Sequence, residues 1–246
     1  MKGSSIGVLL AALLASSLAA GSTARAGSDA GAAVAAKAGA APKAGASRAT
    51  ATAAAVAPAR SATPTKARAV FAGGCFWCME TAFEGLPGVT AVISGYTGGF
   101  KQHPAYEEVS SGTTGHAESV QVQYDPRRIS YAQLLDIFWH NIDPTQANGQ
   151  FCDHGTQYRS AIFYGDTAEQ RLAEASKHVL ETTPQRFKGP IVTQIVPASQ
   201  FWPAEAYHQD FYRKDPDQYH SYRRGCGRDQ RLIELWGKPG RQGEAS

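Results

Sequence analysis

Residues Glu118, Val120, Val122 and Tyr124 alternate with Ser119, Gln121 and Gln123 over Ala117–Tyr124. A period of two is that of a strand with one buried face. Short apolar runs at 67–72, 89–96, 158–164 and 191–196 read as further strands. Helical spacing appears between them. Phe76, Met79 and Phe83 recur at i, i+3 and i+7 in a segment that begins near Cys75 and is stopped by Gly85 and Pro87. Leu134, Leu135, Phe138 and Ile142 form the apolar face of a helix capped by Ser130. Thr167 and Gln170 offer a capping box for a helix to Thr182. A helix is also expected over 204–213, and a turn of helix over Tyr106–Ser110 inside a Gly-rich loop.

Helices that alternate with strands, some of them adjacent in sequence, predict an α/β (α+β) fold. The expected form is a two-layer sandwich of helices on a mixed or antiparallel sheet. Residues 214–246 show little periodicity and read as a long irregular C-terminal tail wrapping the domain.

The pattern changes abruptly toward the N-terminus. All 4 Cys, all 4 Trp and all 10 Tyr of the 246 residues lie beyond residue 70. Lys2 precedes an apolar run over 6–20, and Ala24-Arg25-Ala26 offers a cleavage site. Residues 1–26 therefore read as a signal peptide, with an uncleaved anchor as the alternative. Residues 27–67 are Ala, Gly, Pro, Ser, Thr and scattered Lys and Arg, the composition of a disordered linker. Residues 68–246 form the expected catalytic domain. An exported, periplasmic protein with no stable membrane insertion after cleavage follows. The net charge of +3 comes from the basic leader and linker, leaving an acidic domain, so the charge gives no argument for a nucleic-acid partner.

Cys75 follows Gly73-Gly74 at a helix start, where unpaired N–H groups favour a thiolate and the glycines allow close approach. Phe76 and Trp77 could wall an apolar pocket over the sulfur. Glu118 shares the buried face of its strand, where desolvation raises a carboxyl's pKa and makes a general acid. Cys152, Asp153, His154 and Tyr158 cluster in the loop over 142–157 and at its end. Cys75-x-x-Cys78 lies on a helix, and Asp153-His154 has no second closely spaced pair, so no metal is expected.

Gly74-Cys75-Phe76-Trp77 resembles the hallmark of the A-type peptide methionine sulfoxide reductases. Five further blocks, in the family's order, resemble it as well: Ser94-Gly95-Tyr96-Thr97-Gly98-Gly99, Pro104-Ala105-Tyr106-Glu107-Glu108-Val109, Gly115-His116-Ala117-Glu118, Asp153-His154-Gly155-Thr156-Gln157-Tyr158-Arg159-Ser160 and Tyr207-His208-Gln209. The resemblance covers roughly residues 68–236. It implies reduction of methionine S-sulfoxide, free or in proteins, with Cys75 as nucleophile and Glu118 acting on the sulfoxide oxygen. Tyr106 and Tyr158 would bind that oxygen, Phe76 and Trp77 would hold the methyl group, and Asp153 would complete the pocket.

The product on Cys75 would be a sulfenic acid, which a second thiol must resolve. Cys226, flanked by Gly225 and Gly227 on a tail free to swing, is the first candidate, with Cys78 and Cys152 behind it. The resemblance implies no bound cofactor and an external thiol reductant, thioredoxin or a thioredoxin-like protein. The enzyme is expected to be a monomer acting on oxidised proteins or peptides. Two other readings are open: a thioredoxin-like disulfide oxidoreductase using Cys75-x-x-Cys78, and a non-catalytic module that binds methionine-rich peptides.

Overall fold

The computed structural model describes residues 65–183 and 187–241. The signal peptide and nearly all of the linker expected from the sequence lie outside the described residues.

Strand β1 (Ala67–Gly73) leads through a glycine turn into helix α1 (Phe76–Phe83), and β2 (Val89–Thr97) returns alongside. A short helix α2 (Tyr106–Ser110) interrupts the loop before β3 (Ala117–Tyr124), which is followed by α3 (Tyr131–Trp139). A two-residue ribbon, β4 (Gly149–Gln150) with β5 (Asp153–His154), stands before a 3-10 turn at Thr156–Tyr158. Then come β6 (Ser160–Tyr164), α4 (Thr167–Thr182), β7 (Gln194–Pro197) and β8 (Trp202–Pro203). Helices α5 (Phe211–Lys214), α6 (Pro216–Gly225) and α7 (Arg228–Trp236) close the chain.

The main sheet has the order β7-β6-β1-β3-β2-β8. Its pairs are antiparallel except β6 with β7, so the sheet is mixed, as expected. Phe71 of β1 stacks on Phe83 of α1 and Phe138 of α3, with ring centroids 5.2 and 5.1 Å apart. Val120 and Val122 of β3 join the same core with Met79 and Leu134. Among the described residues, the opposite sheet face carries a small cluster of Ala72, Ala117, Ala161 and Phe163. Helices α1 and α3 therefore supply the second layer on one face, the two-layer arrangement read from the sequence.

Four local expectations need correction. The cap of α4 is Asp166, whose carboxylate accepts from the N–H groups of Ala168 and Glu169, and not Thr167. Tyr158 belongs to the 3-10 turn, and β6 starts at Ser160. β7 starts at Gln194 rather than 191.

The helix expected over 204–213 shrinks to α5, because residues 202–209 are held along the edge of β2. Gln209 copies a strand partner there: its side-chain oxygen accepts from Ser94 N–H, and its amide donates to the carbonyls of Ser94 and Ala204. Asp210, with φ 52°, then turns the chain into α5.

The irregular tail is the largest departure. Asp215 caps α6 by accepting from Gln218 N–H, with Pro216 in the first turn. Gly227, in the left-handed region at φ 69°, turns the chain into α7. Tyr219, Arg223, Arg228, Leu232 and Trp236 are all buried, so the tail is docked rather than draped. A polar, Arg-rich composition hid this, since two of its inward-facing residues are arginines.

Docking has an energetic consequence. Leu232 is fully buried, so Leu232→Ala should destabilise the protein by about 2–5 kcal/mol in urea unfolding, the range for an excavated core leucine. An undocked tail would keep the change within about 0.5 kcal/mol.

Candidate active site

The turn between β1 and α1 places Cys75 where the strand of the sheet passes into the helical layer. Cys75 is the N-cap residue of α1, and its carbonyl accepts from the N–H groups of Cys78 and Met79. Gly74 has φ 82°, and a Cβ there would stand 2.5 Å from Cβ of Gln150. A Cβ on Gly73 would meet Sδ of Met79 at 2.5 Å. The expectation that this glycine pair leaves room for an incoming molecule is thus corrected: the space is filled by the protein's own Gln150 and Met79.

A cavity of about 250 Å³ is lined by Cys75, Phe76, Trp77, Tyr106, Glu118, Asp153, Tyr158 and Tyr222. The structure therefore gathers the seven residues singled out in the sequence for attack, proton transfer and binding, from β1–α1, α2, β3, β5 and the 3-10 turn. Tyr222 is the addition. It comes from α6, and its hydroxyl donates to Asp153 Oδ2. Tyr219, Tyr222, Arg223 and Cys226 fall at i, i+3, i+4 and i+7, a helical stripe that could have revealed this helix.

Glu118 is 2 % exposed, and its Oε2 accepts the Phe76 N–H at 3.0 Å. Burial pushes its pKa up to about 8, with the Phe76 hydrogen bond working in the opposite direction. The carboxyl is therefore protonated at neutral pH, as its strand parity predicts. Burial likewise raises the phenols of Tyr106 and Tyr158, which stay protonated as hydrogen-bond donors. Burial also raises Asp153, opposed by its hydrogen bond with Tyr222 and by the charge of Arg228.

The wall of the pocket is built from aromatic contacts. Trp77 stacks on Phe211 with ring centroids 3.7 Å apart, and its Nε1–H donates to His208 Nδ1 at 3.1 Å. The His208 ring lies 4.8 Å from that of Phe76 and 4.4 Å from that of Tyr106. His208 and Phe211 were not assigned roles from the sequence, because their contacts cross more than a hundred residues of chain.

The four cysteines divide into two pairs. Cys152 and Cys226 are joined in a disulfide, with Cα atoms 4.9 Å apart. Cys226 thus ends α6 tied to the pocket loop, instead of riding on a tail free to swing. Cys75 and Cys78 are free, buried and hydrogen-bonded to each other.

Burial pushes the Cys75 thiol well above its ordinary range, assisted by its hydrogen bond to Cys78 and the charges of Cys78, Glu118 and Asp153. The hydrogen bond from Cys75 draws Cys78 down to about 6 against the effect of burial, with Arg228 and Arg223 also lowering it. The two thiols titrate as a pair, losing one proton easily and the second with difficulty. A lowered pKa on Cys75 itself, expected from the helix start, is not found. The first N–H of α1 is already engaged by Glu118, and desolvation outweighs what remains of the helix dipole.

Comparisons with known proteins identify the family. The sequence profile described as peptide methionine sulfoxide reductase matches residues 67–239. A Bacillus velezensis protein named peptide methionine sulfoxide reductase MsrA is 52% identical over 171 residues, covering 70% of this chain and 96% of that protein. Mxr1 from Saccharomyces cerevisiae in reduced form superposes with a TM-score of 0.58 at 31% identity, covering 62% of this chain and 87% of that one. Methionine sulfoxide reductase A of Corynebacterium diphtheriae gives a TM-score of 0.58 at 32% identity, covering 63% and 77%. The chain belongs to the A-type peptide methionine sulfoxide reductases and is an oxidoreductase that reduces methionine S-sulfoxide to methionine through a cysteine sulfenic acid and a disulfide.

Proposed function

We propose that Cys75 is the nucleophile, Cys78 its base and resolving thiol, and Glu118 the acid of this reduction. The observation that carries the assignment is one buried cavity that brings the Cys75 sulfur and the protonated Glu118 carboxyl together. The Cys75 thiol gives its proton to the Cys78 thiolate, and its sulfur attacks the sulfoxide sulfur. Glu118 gives its proton to the sulfoxide oxygen, with Tyr106 and Tyr158 donating hydrogen bonds to it. Phe76 and Trp77 hold the methyl group, and Asp153, gripped by Tyr222, closes the pocket.

Methionine leaves with two electrons, and Cys75 keeps the oxygen as a sulfenic acid. Cys78 then attacks Cys75 Sγ, water departs, and a Cys75–Cys78 disulfide forms. Two electrons and two protons from an external dithiol complete the cycle, a role suited to thioredoxin or a thioredoxin-like protein. No step requires a prosthetic group. Cys226 is the weaker resolving candidate because its sulfur is bonded to Cys152. A thioredoxin-like identity built on Cys75-x-x-Cys78 is set aside by the family assignment.

The enzyme is read as a monomer acting on methionine sulfoxide in peptides and proteins. The Lys2-led apolar run and Ala24-Arg25-Ala26 support export to the periplasm. Among the described residues no helix is long and apolar enough to cross a membrane. Intact-mass measurement on the exported protein should show loss of residues 1–26; a full-length, membrane-bound product would establish the anchor instead.

Single turnover tests the thiol assignments. Without reductant, Cys75→Ser should release no methionine. Cys78→Ser should release about one equivalent, slowly, and then stop. Cys226→Ser should form a Cys75–Cys78 disulfide on peptide mapping and keep cycling with an external dithiol. A Cys75–Cys226 disulfide in wild type, with cycling lost in Cys226→Ser, would move the resolving role to Cys226.

The pH profile tests the acid. The base is competent above about 6, where Cys78 is a thiolate, and the acid below about 8, where Glu118 holds its proton. Wild-type kcat should therefore rise through the first value and fall through the second. Glu118→Gln should lower kcat by about 10²–10⁴ with little change in KM and should lose the alkaline limb. An alkaline limb that survives in Glu118→Gln would assign the proton to another group.

A further inference from the structure

Arg228 is a cation sealed inside the protein, only 1% exposed. Its Nη2 donates to the carbonyls of Gly73 at 3.0 Å and Asn141 at 2.8 Å, and lies 3.3 Å from Met79 Sδ. The guanidinium also covers the ring of Phe151 at 4.4 Å, and its Nε has no hydrogen-bond partner. None of these contacts is a carboxylate. The nearby Arg223 differs: it forms a bidentate pair with Asp229 at 2.6 and 3.0 Å. A buried charge normally requires an opposite charge, since leaving it uncompensated in a low-dielectric interior is costly.

The contacts that Arg228 does make identify where that opposite charge belongs. Gly73 lies two residues before Cys75, and Met79 follows Cys78. A Cβ on Gly74 would stand 3.6 Å from Arg228 Nη1. The guanidinium therefore rests on the turn and the first turn of α1, the stretch from Gly73 to Met79 that carries the two free thiols. We propose that Arg228 is a positioning residue whose fixed positive charge holds the negative charge of the Cys75–Cys78 pair, keeping one thiolate available at neutral pH. The proposal rests on the reading of these two cysteines as the nucleophile and its base.

The other groups facing the pair do not supply this charge. Glu118 from β3 and Asp153 from β5 oppose a thiolate on Cys75. Tyr106 of α2, Tyr158 of the 3-10 turn and Tyr219 and Tyr222 of α6 are neutral phenols with raised pKa values. Arg223 of α6 also lowers Cys78, but after Arg228 in size, consistent with a charge already matched by Asp229. Asp153 shares the influence of Arg228, yet burial keeps its own pKa raised. The position fits the helix as well: Arg228 opens α7 directly after the disulfide-bonded Cys226 and Gly227, so its backbone is anchored.

The test measures thiolate formation without any sulfoxide, so its outcome is separate from whether Cys75 reduces one. Full-length protein with Cys75 and Cys78 reduced would be labelled with iodoacetamide across pH, with the label at each cysteine counted by peptide mass spectrometry. Arg228→Gln should raise the midpoint of labelling at this pair by about one pH unit or more, a tenfold loss of thiolate at fixed pH. Arg228→Lys keeps the charge and loses the guanidinium geometry, and it should hold the wild-type midpoint to within a few tenths. An unchanged midpoint in folded Arg228→Gln would overturn the proposal, as would equal shifts in both variants, which would assign the effect to hydrogen bonding.

If Arg228→Gln does not fold, the wild type answers instead. A pair whose first pKa lies below its unfolded value adds stability above the unfolded pKa and loses it as pH falls through about 6. The Tm of reduced wild type should therefore gain on the Cys75→Ser, Cys78→Ser double variant between about pH 6 and pH 8. A difference independent of pH would overturn the proposal.

Discussion

The pocket depends on the hydrogen bond between Phe76 N–H and the buried carboxyl of Glu118. It joins the first residue of α1 to β3, and so fixes the reactive cysteine against the sheet. It also satisfies a helix N-terminal donor that would otherwise be free to stabilise a thiolate. Burial raises the pKa of both groups beside this contact, and the contact itself opposes the rise at Glu118. Glu118 is desolvated enough to hold a proton near pH 7, because one N–H offsets only part of the burial. Cys75, deprived of that donor and equally buried, becomes a reluctant acid. In the proposed reaction the acid is thus ready in the resting protein, whereas the nucleophile needs a base beside it, the place given to Cys78.

A second constraint is the C-terminal clasp. The segment from β8 to α7 touches nearly every part of the pocket without supplying the sulfur or the acid. Glu205 accepts from Tyr96 O–H and from Tyr106 N–H, which places α2 over the cavity. Glu80 of α1, buried and with a pKa raised to about 8, accepts from Asp210 N–H. Further along, Tyr222 grips Asp153, and the disulfide joins the preceding, exposed residue Cys152 to the end of α6. Phe211 and His208 brace Trp77. Preorganisation of this kind is worth most where charge must be handled without water, since fixed dipoles need no rearrangement during reaction.

What the sequence disclosed follows from the range of the interactions involved. Strand parity placed Glu118 on a buried face because alternation is a local property, and the structure keeps that face with Val120, Val122 and Tyr124. The core helices and most of the sheet strands were legible for the same reason, whereas Tyr106, Tyr158 and Asp153 were placed in the pocket only by the family resemblance of the ordered motifs around them. The clasp was not legible. Its helices are held by buried arginines and tyrosines such as Arg223, Arg228 and Tyr219 as much as by aliphatic side chains, so the segment showed little apolar periodicity. The glycine pair before Cys75 was misread because glycine reports only that something comes close. Here it is Gln150 and Met79, across loops whose packing no local pattern encodes.

The four cysteines show how burial and fastening assign chemistry that sequence spacing leaves open. Cys226 looked free because glycines flank it, yet only Gly227 uses a left-handed conformation, and it does so to turn α6 into α7. The Cys152–Cys226 bond therefore fastens two secondary-structure elements that each contribute a pocket side chain, Asp153 from one and Tyr222 from the other. Cys75 and Cys78 occupy a different environment, both sealed from solvent and in contact through a hydrogen bond. A sulfenic acid formed there meets a thiol before it meets bulk oxidant, which limits progress up the oxidation ladder. In the proposed cycle electrons from an external dithiol would enter through the pocket, whose partly exposed lining residues include Trp77, Tyr106, Asp153, Tyr158 and Tyr222. Substrate and reductant would then use one mouth in turn, a sequence consistent with a cavity too small to hold both.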